Sequence, residues 1–184
     1  PAGAPANATL LRPEGVFVKG DVTYVADTGH HRVLAWPSGA VSGTLVAGGH
    51  GFGDGPEQLI SPSSVWVHEH AEADGTHADH LYVCDTYNHR IMMYHLGSTF
   101  DYSAVVVAGG CLLSPPYVSP CIKGGLHYPP DPSPDTPHRL NPSNANPPLY
   151  HFWGPTGVFV SADGANLTVA DTQNHRVLAW PGAA

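Results

Sequence analysis

What this 184-residue chain has little of narrows it before anything it contains. Seven residues are Lys or Arg against fifteen Asp or Glu, a formal net charge of −8 with histidines neutral. Binding nucleic acid needs cationic side chains that displace counterions from phosphates. Three of the seven cations, Arg32, Arg90 and Arg176, belong to a repeated motif, so too few remain for a basic face and nucleic acid is not an expected partner. No apolar run approaches the roughly eighteen residues of a membrane-crossing helix, and no membrane span is expected. There is no Gly-x-Ser-x-Gly nucleophile elbow, no phosphate-cradling P-loop and no dinucleotide-binding glycine turn. The glycine-rich GGHGFGDG at 48–55 precedes no helical pattern and reads as a linker.

Scarce charge is set against abundant turn formers. Gly numbers 21 and Pro 19, a load that opposes helical bundles and suits many short strands joined by turns. The length is enough for one domain with a sizeable core.

One sentence of sequence is written three times. ADTGHHRVLAWP at 26–37 returns as ADTQNHRVLAWP at 170–181, with a looser copy, CDTYNHRIMMYH, at 84–95. Each copy extends upstream into GVFV-like and TYVAD-like runs whose alternation and Val, Tyr and Trp content predict strands. Pro13, Pro62 and Pro155 precede the first strand, where a missing N–H costs least. A fourth run, GTLVAGG at 43–49 and AVVVAGG at 104–110, follows the first two copies. The expected unit is a four-stranded antiparallel meander, and tandem meanders are the mark of a β-propeller.

The pattern P-x-G-V…YVADT-x-N-H-R-V closely resembles the NHL repeat, with HHR at 30–32 and NHR at 88–90 and 174–176. The resemblance implies an all-β fold of NHL-type propeller blades, each a four-stranded meander, in a ring of six. About three blades are present, at 10–49, 59–110 and 152–184, with a long Pro-rich insertion at 111–148. The third copy stops before an AGG strand and none precedes the first. Further blades of a longer chain, or a second copy of this one, are therefore expected to complete the ring.

The repeated polar residues are Asp27, His31 and Arg32; Asp85, His89 and Arg90; Asp171, His175 and Arg176. An Asp after a strand bonds nearby backbone N–H groups, and an Asp–Arg pair five residues apart spans a turn. These sets are expected to brace the scaffold, and no catalytic residue is assigned.

Function on such a scaffold belongs to the loops where copies differ. The first is HEHAEADGTHADH at 68–80, expected as a solvated hairpin tip. Its His68, His70, His77 and His80 among carboxylates are the candidate ligands for a divalent metal, with no other cofactor expected. The second is 111–148, which holds eleven of the nineteen prolines and so cannot enter a central strand. Cys111 and Cys121 bracket its start, and a disulfide there would stabilise by roughly 2–3 kcal/mol. Cys84 falls on a predicted strand and reads as a buried free thiol. Asn7-Ala8-Thr9 and Asn166-Leu167-Thr168 are glycosylation sequons, and with the cysteine pair they favour an extracellular or lumenal protein over a cytoplasmic one.

The expected function is a non-catalytic scaffold that binds protein partners through variable loops. The alternative is an enzyme, since six-bladed propellers related to the family include peptidyl-hydroxyglycine amidating lyases with zinc held by histidines near the channel. The clustered histidines here lie in one hairpin, whereas a channel site draws ligands from several blades.

Overall fold

The computed structural model describes residues 7–71, 75–97, 104–109, 113–114, 117–118 and 152–181. The fold is all-β, built of antiparallel sheets whose strands follow one another in chain order. The first sheet comprises β1 (Val16–Lys19), β2 (Val22–Asp27), β3 (Arg32–Pro37) and β4 (Thr44–Gly48). The second comprises β5 (Pro62–Ala71), β6 (His77–Asp85), β7 (Arg90–Leu96) and β8 (Val105–Gly109). A short ribbon pairs β9 (Leu113–Ser114) with β10 (Tyr117–Val118), inside the stretch read as an insertion. The third sheet comprises β11 (Pro155–Val160), β12 (Asn166–Asp171) and β13 (Arg176–Pro181). No helix among the described residues is long and apolar enough to cross a membrane.

Alternation along the strands lets the second sheet bury both faces. In β6, Leu81 and Val83 point one way and Tyr82 and Cys84 the other, because successive side chains leave a strand on opposite sides. The first set joins Tyr24, Ala26, Val33 and Ala35 of the first sheet, with Val65, Val67, Met92 and Tyr94, in one core. The second joins Ile91, Val158, Val160, Leu167 and Val169 in another, between the second and third sheets. The three sheets therefore stack face to face around two cores. Each fully buried Val, Leu or Ile stabilises by about 1.5–3 kcal/mol, and ordering the chain offsets most of the total.

The first strands of the three sheets share one aromatic row. The Trp66 ring lies 4.5 Å from Phe17 and 4.7 Å from Phe159, tilted or edge-on to each, as ring quadrupoles favour.

The 68–80 stretch differs from the expected hairpin tip. Most of it is strand: His68 pairs with His80, Glu69 with Asp79 and Ala71 with His77. Lys19 of the first sheet reaches across to Glu69 (3.3 Å) and to Asp79 and so contacts both strands of the extension. Burial opposes the Lys19 charge, but these two carboxylates outweigh it and hold its pKa above the ordinary value.

Candidate functional site

Each repeat builds the same brace. Asp27, Asp85 and Asp171 close β2, β6 and β12, all fully buried. One carboxylate oxygen accepts the backbone N–H of Leu11, Ile60 or Trp153, each at 2.7 Å, from the segment leading into that sheet. The other accepts Arg Nε from across the turn, at 2.8 Å from Arg32 and 2.7 Å from Arg90 and Arg176. It also accepts Asn88 or Asn174 Nδ2 at 2.8 Å, and in the first copy it bonds His30 Nδ1 at 2.9 Å. Burial pushes the Asp27 carboxyl up, yet the Leu11 N–H, Arg32 and His30 outweigh it and hold it below the ordinary range. At the more deeply buried Asp85 desolvation prevails, against Arg90, Ile60 and Asn88, and the pKa is raised. Arg90 in turn donates to the carbonyls of Asp54 (2.7 Å), Gly55 and Gln58 (both 3.1 Å), so the glycine-rich 48–55 stretch folds onto this guanidinium.

The histidines of the first two copies act between sheets. A 3-10 turn, Thr28–His30, Thr86–Asn88 or Thr172–Asn174, ends on His31, His89 or His175 in the left-handed region, at φ 56°, 53° and 52°. A residue with a side chain resists that conformation by about 1–2 kcal/mol. The arrangement that offsets the cost is a bond into the next sheet. His31 Nδ1 accepts the N–H of Ser61, and His89 Nδ1 accepts that of Gly154, each at 3.0 Å. Beside them, Thr28 Oγ1 donates to the Pro62 carbonyl at 2.7 Å and Thr86 Oγ1 to the Pro155 carbonyl at 3.0 Å. The same two bonds thus join sheet one to two and sheet two to three.

An imidazole that accepts at Nδ1 must be unprotonated there, which makes the second junction acid-sensitive. Burial lowers the His89 pKa below its ordinary 6.5, against the nearby Asp171 carboxylate. The unfolded chain therefore binds the proton more readily than the folded one. Stability is full above about pH 6.5 and is lost as pH falls below it. Between pH 7.5 and 5 the melting temperature should drop by roughly 2–5 °C, the scale of one hydrogen bond in a chain this size. In His89→Asn, whose side chain tolerates the left-handed region and does not titrate, circular-dichroism melts should show a smaller drop over the same range.

Four other imidazoles form a row on the face of the second sheet that meets the third. His68 pairs with His80 and His80 with His95, and His70 follows two residues after His68 on the same face. The rings of His70 and His80 stack at 5.1 Å, and those of His80 and His95 meet edge-on at 4.3 Å. His68 faces the β11–β12 turn, where Asp163 is held ionised by the Ser161 hydroxyl and the Ala165 N–H. Burial lowers the His68 pKa, helped by His70 and Lys19, against Asp163 and Glu69.

The four histidines singled out in the sequence do not share one face. His77 pairs with Ala71 on the opposite side, where it bonds Glu69 at 3.0 Å. Its place in the row is taken by His95, which sequence reasoning passed over. The strand tips and the third sheet's turn enclose an open cleft of ≈ 470 Å³, lined by His68, Glu69, His70, His77 and Asp163. Among the described residues no three His, Cys, Asp or Glu side chains converge where an ion could be held. The cleft offers imidazole and carboxylate hydrogen bonds to a polar ligand.

Cys84 is fully buried, and desolvation drives its thiol pKa far above the ordinary value, leaving an unreactive packing residue. Cys111 and Cys121 lie outside the described residues. Asn7 is half-buried, its side-chain oxygen accepting from Arg32 Nη1 at 2.8 Å, whereas Asn166 is exposed at the start of β12. No protein-family model matches the chain, and no curated protein matches it significantly.

Proposed function

We propose that the three sheets are consecutive blades of an NHL-type β-propeller that serves as a non-catalytic scaffold for protein partners outside the cytosol. The observation that carries this reading is where the repeated polar residues are spent. The Asp and Arg of all three copies, and the His and Thr of the first two, hold one sheet together or join it to the next. A set used up in this way supports construction, which leaves recognition to the parts that vary between copies. Those are the extended β5–β6 hairpin with its histidine-lined cleft, and the Pro-rich stretch 111–148.

Proximity labelling in secreting cells tests the reading. The parent chain should mark a set of proteins that is lost when 111–148 is replaced by a short Gly-Ser link, or when His68 and His70 are both changed to Ala. A labelled set indifferent to both changes would place recognition elsewhere and remove the proposal. The same cells report on compartment. A glycosidase should shift the mass of the secreted chain, and Asn166→Gln should abolish most of that shift, because Asn7 is already engaged by Arg32.

A further inference from the structure

The β5–β6 extension is held by different chemistry on its two sides. Glu69 and its cross-strand partner Asp79 follow Val67 and Leu81 onto the side of the first sheet, where both meet the Lys19 ammonium. Lys19, by its hydrogen bond and its charge, holds the Glu69 carboxyl below its ordinary 4.5, with help from His77. The Lys19–Glu69 pair therefore keeps both charges as the pH falls from about 7.5 to 5. The other side carries His68, His70 and His80, with His95 of β7 beside them, and it faces the third sheet. There His68 makes the contact across, onto the β11–β12 turn. Gly164 is buried beside its ring, and a Cβ at that residue would lie 2.9 Å from His68 Nε2. A glycine lets the turn come this close, and at φ +69° it carries no side chain to resist the conformation.

Protons are poorly accommodated on that side. The His70 and His80 rings stack at 5.1 Å and those of His80 and His95 meet at 4.3 Å, so charges on neighbouring rings repel at close range. At His68 burial, His70 and Lys19 disfavour the proton, and Asp163 and Glu69 favour it less strongly. Asp163 is exposed, and one of its oxygens is engaged by the Ser161 hydroxyl and the Ala165 N–H. The His68 pKa in the closed arrangement thus lies below the ordinary 6.5. Its contact with Gly164 is at full strength above about pH 6.5 and weakens as the pH falls below it. Over the same range one side of the extension gains charges that repel, while the other keeps charges that attract.

We propose that the β5–β6 extension is an acid-operated arm: protonation lifts His68 off the β11–β12 turn, Lys19 keeps the arm on the first sheet, and the cleft between them widens. Acidification thereby changes both the shape and the charge of the surface that the cleft offers to a partner. The proposal rests on the scaffold reading for the cleft's being a place of recognition, but the motion itself needs no partner.

Paired spin labels on Ala71→Cys and Ala162→Cys, exposed residues on the two walls of the cleft, measure its width by pulsed dipolar spectroscopy. Cys111 and Cys121 are changed to Ser for this purpose, and Cys84 is buried. Between pH 7.5 and 5 the ratio of short to long separations should fall roughly 5-fold or more, the lower end of the coupling typical between a ligand, here the proton, and a conformational change. The midpoint should lie below 6.5. A second pair, on Ala71→Cys and on Asp21→Cys in the β1–β2 turn, should keep its separation over the same range. His68→Phe and His68→Gln, which take up no proton, should remove the pH response of the first pair. Gly164→Ala, whose added carbon displaces His68, should show the long separation already at pH 7.5. A parent cleft indifferent to pH, a response that survives both His68 variants, a closed Gly164→Ala cleft, or an Asp21–Ala71 separation that also lengthens in acid overturns the proposal. Any of these results, with the labelled partner set still lost in the His68 and His70 double variant, leaves the scaffold reading standing.

Discussion

Asp85→Ala should be the most damaging single substitution in the motif, costing about 3–5 kcal/mol of unfolding free energy. Removing the carboxylate leaves three donors without their acceptor. The Arg90 guanidinium is 8% exposed, Asn88 is buried, and the Ile60 N–H loses the bond that ties the lead-in to its sheet. An uncompensated buried cation dominates the cost, since the favourable term it has lost was what repaid its desolvation. For a chain of this size that corresponds to a fall in melting temperature of roughly 6–20 °C. Asp171→Ala should cost less, because Arg176 is 17% exposed and water can take over part of its solvation. Asp85→Asn should fall between parent and Ala, keeping an oxygen for the Ile60 N–H but no charge for Arg90. Urea titrations of the three variants give the ranking. If Asp85→Ala melted with the parent, or if Asp171→Ala were the worse of the two, the polar core would not be the brace described above.

The repeats made the strands legible. Three aligned copies mark β1 to β3, their counterparts in the other sheets, and the short turn after each Asp, because alternation and turn chemistry are local properties. The histidine row was legible only in part. Counting back five residues on each strand from the Asp85–Arg90 pair places His80 opposite His95, so the register held the information once the turn was known. Parity likewise separates His77 from His68 and His70, provided the pairing of β5 with β6 is known as far as Ala71. What no local pattern could reveal is the work of His31, His89 and Thr28. Their partners, Ser61, Gly154 and Pro62, lie 30 or more residues away in the next sheet. The recurring Pro reads in sequence as a strand start that needs no N–H. Its carbonyl, which receives the threonine of the previous sheet, is silent in any one-dimensional pattern.

Gly109→Ala should cost roughly 2–5 kcal/mol, although it adds one methyl group to a strand end. Gly109 has φ +77°, where a side chain meets its own backbone, at about 1–3 kcal/mol. The added carbon would also lie 2.3 Å from the His89 carbonyl oxygen and 2.5 Å from the Phe152 ring. Phe152 could rotate away at the expense of its packing in the second core. The carbonyl cannot, since it belongs to the residue whose ring joins the second sheet to the third. The strain is therefore passed to the His89–Gly154 bond, and the variant should lose much of the parent's acid sensitivity between pH 7.5 and 5 along with its stability. Gly48 repeats the geometry at φ +67°, with the His31 carbonyl oxygen 2.5 Å away and Leu59 in place of Phe152. Gly48→Ala should destabilise to a similar extent while leaving the His89 pH response in place, because its strain falls on the first junction. Melts of the two variants at both pH values separate the outcomes. Equal loss of pH response in both would mean that the two junctions are not independent, and no loss of stability in either would mean that the β4 and β8 ends yield freely.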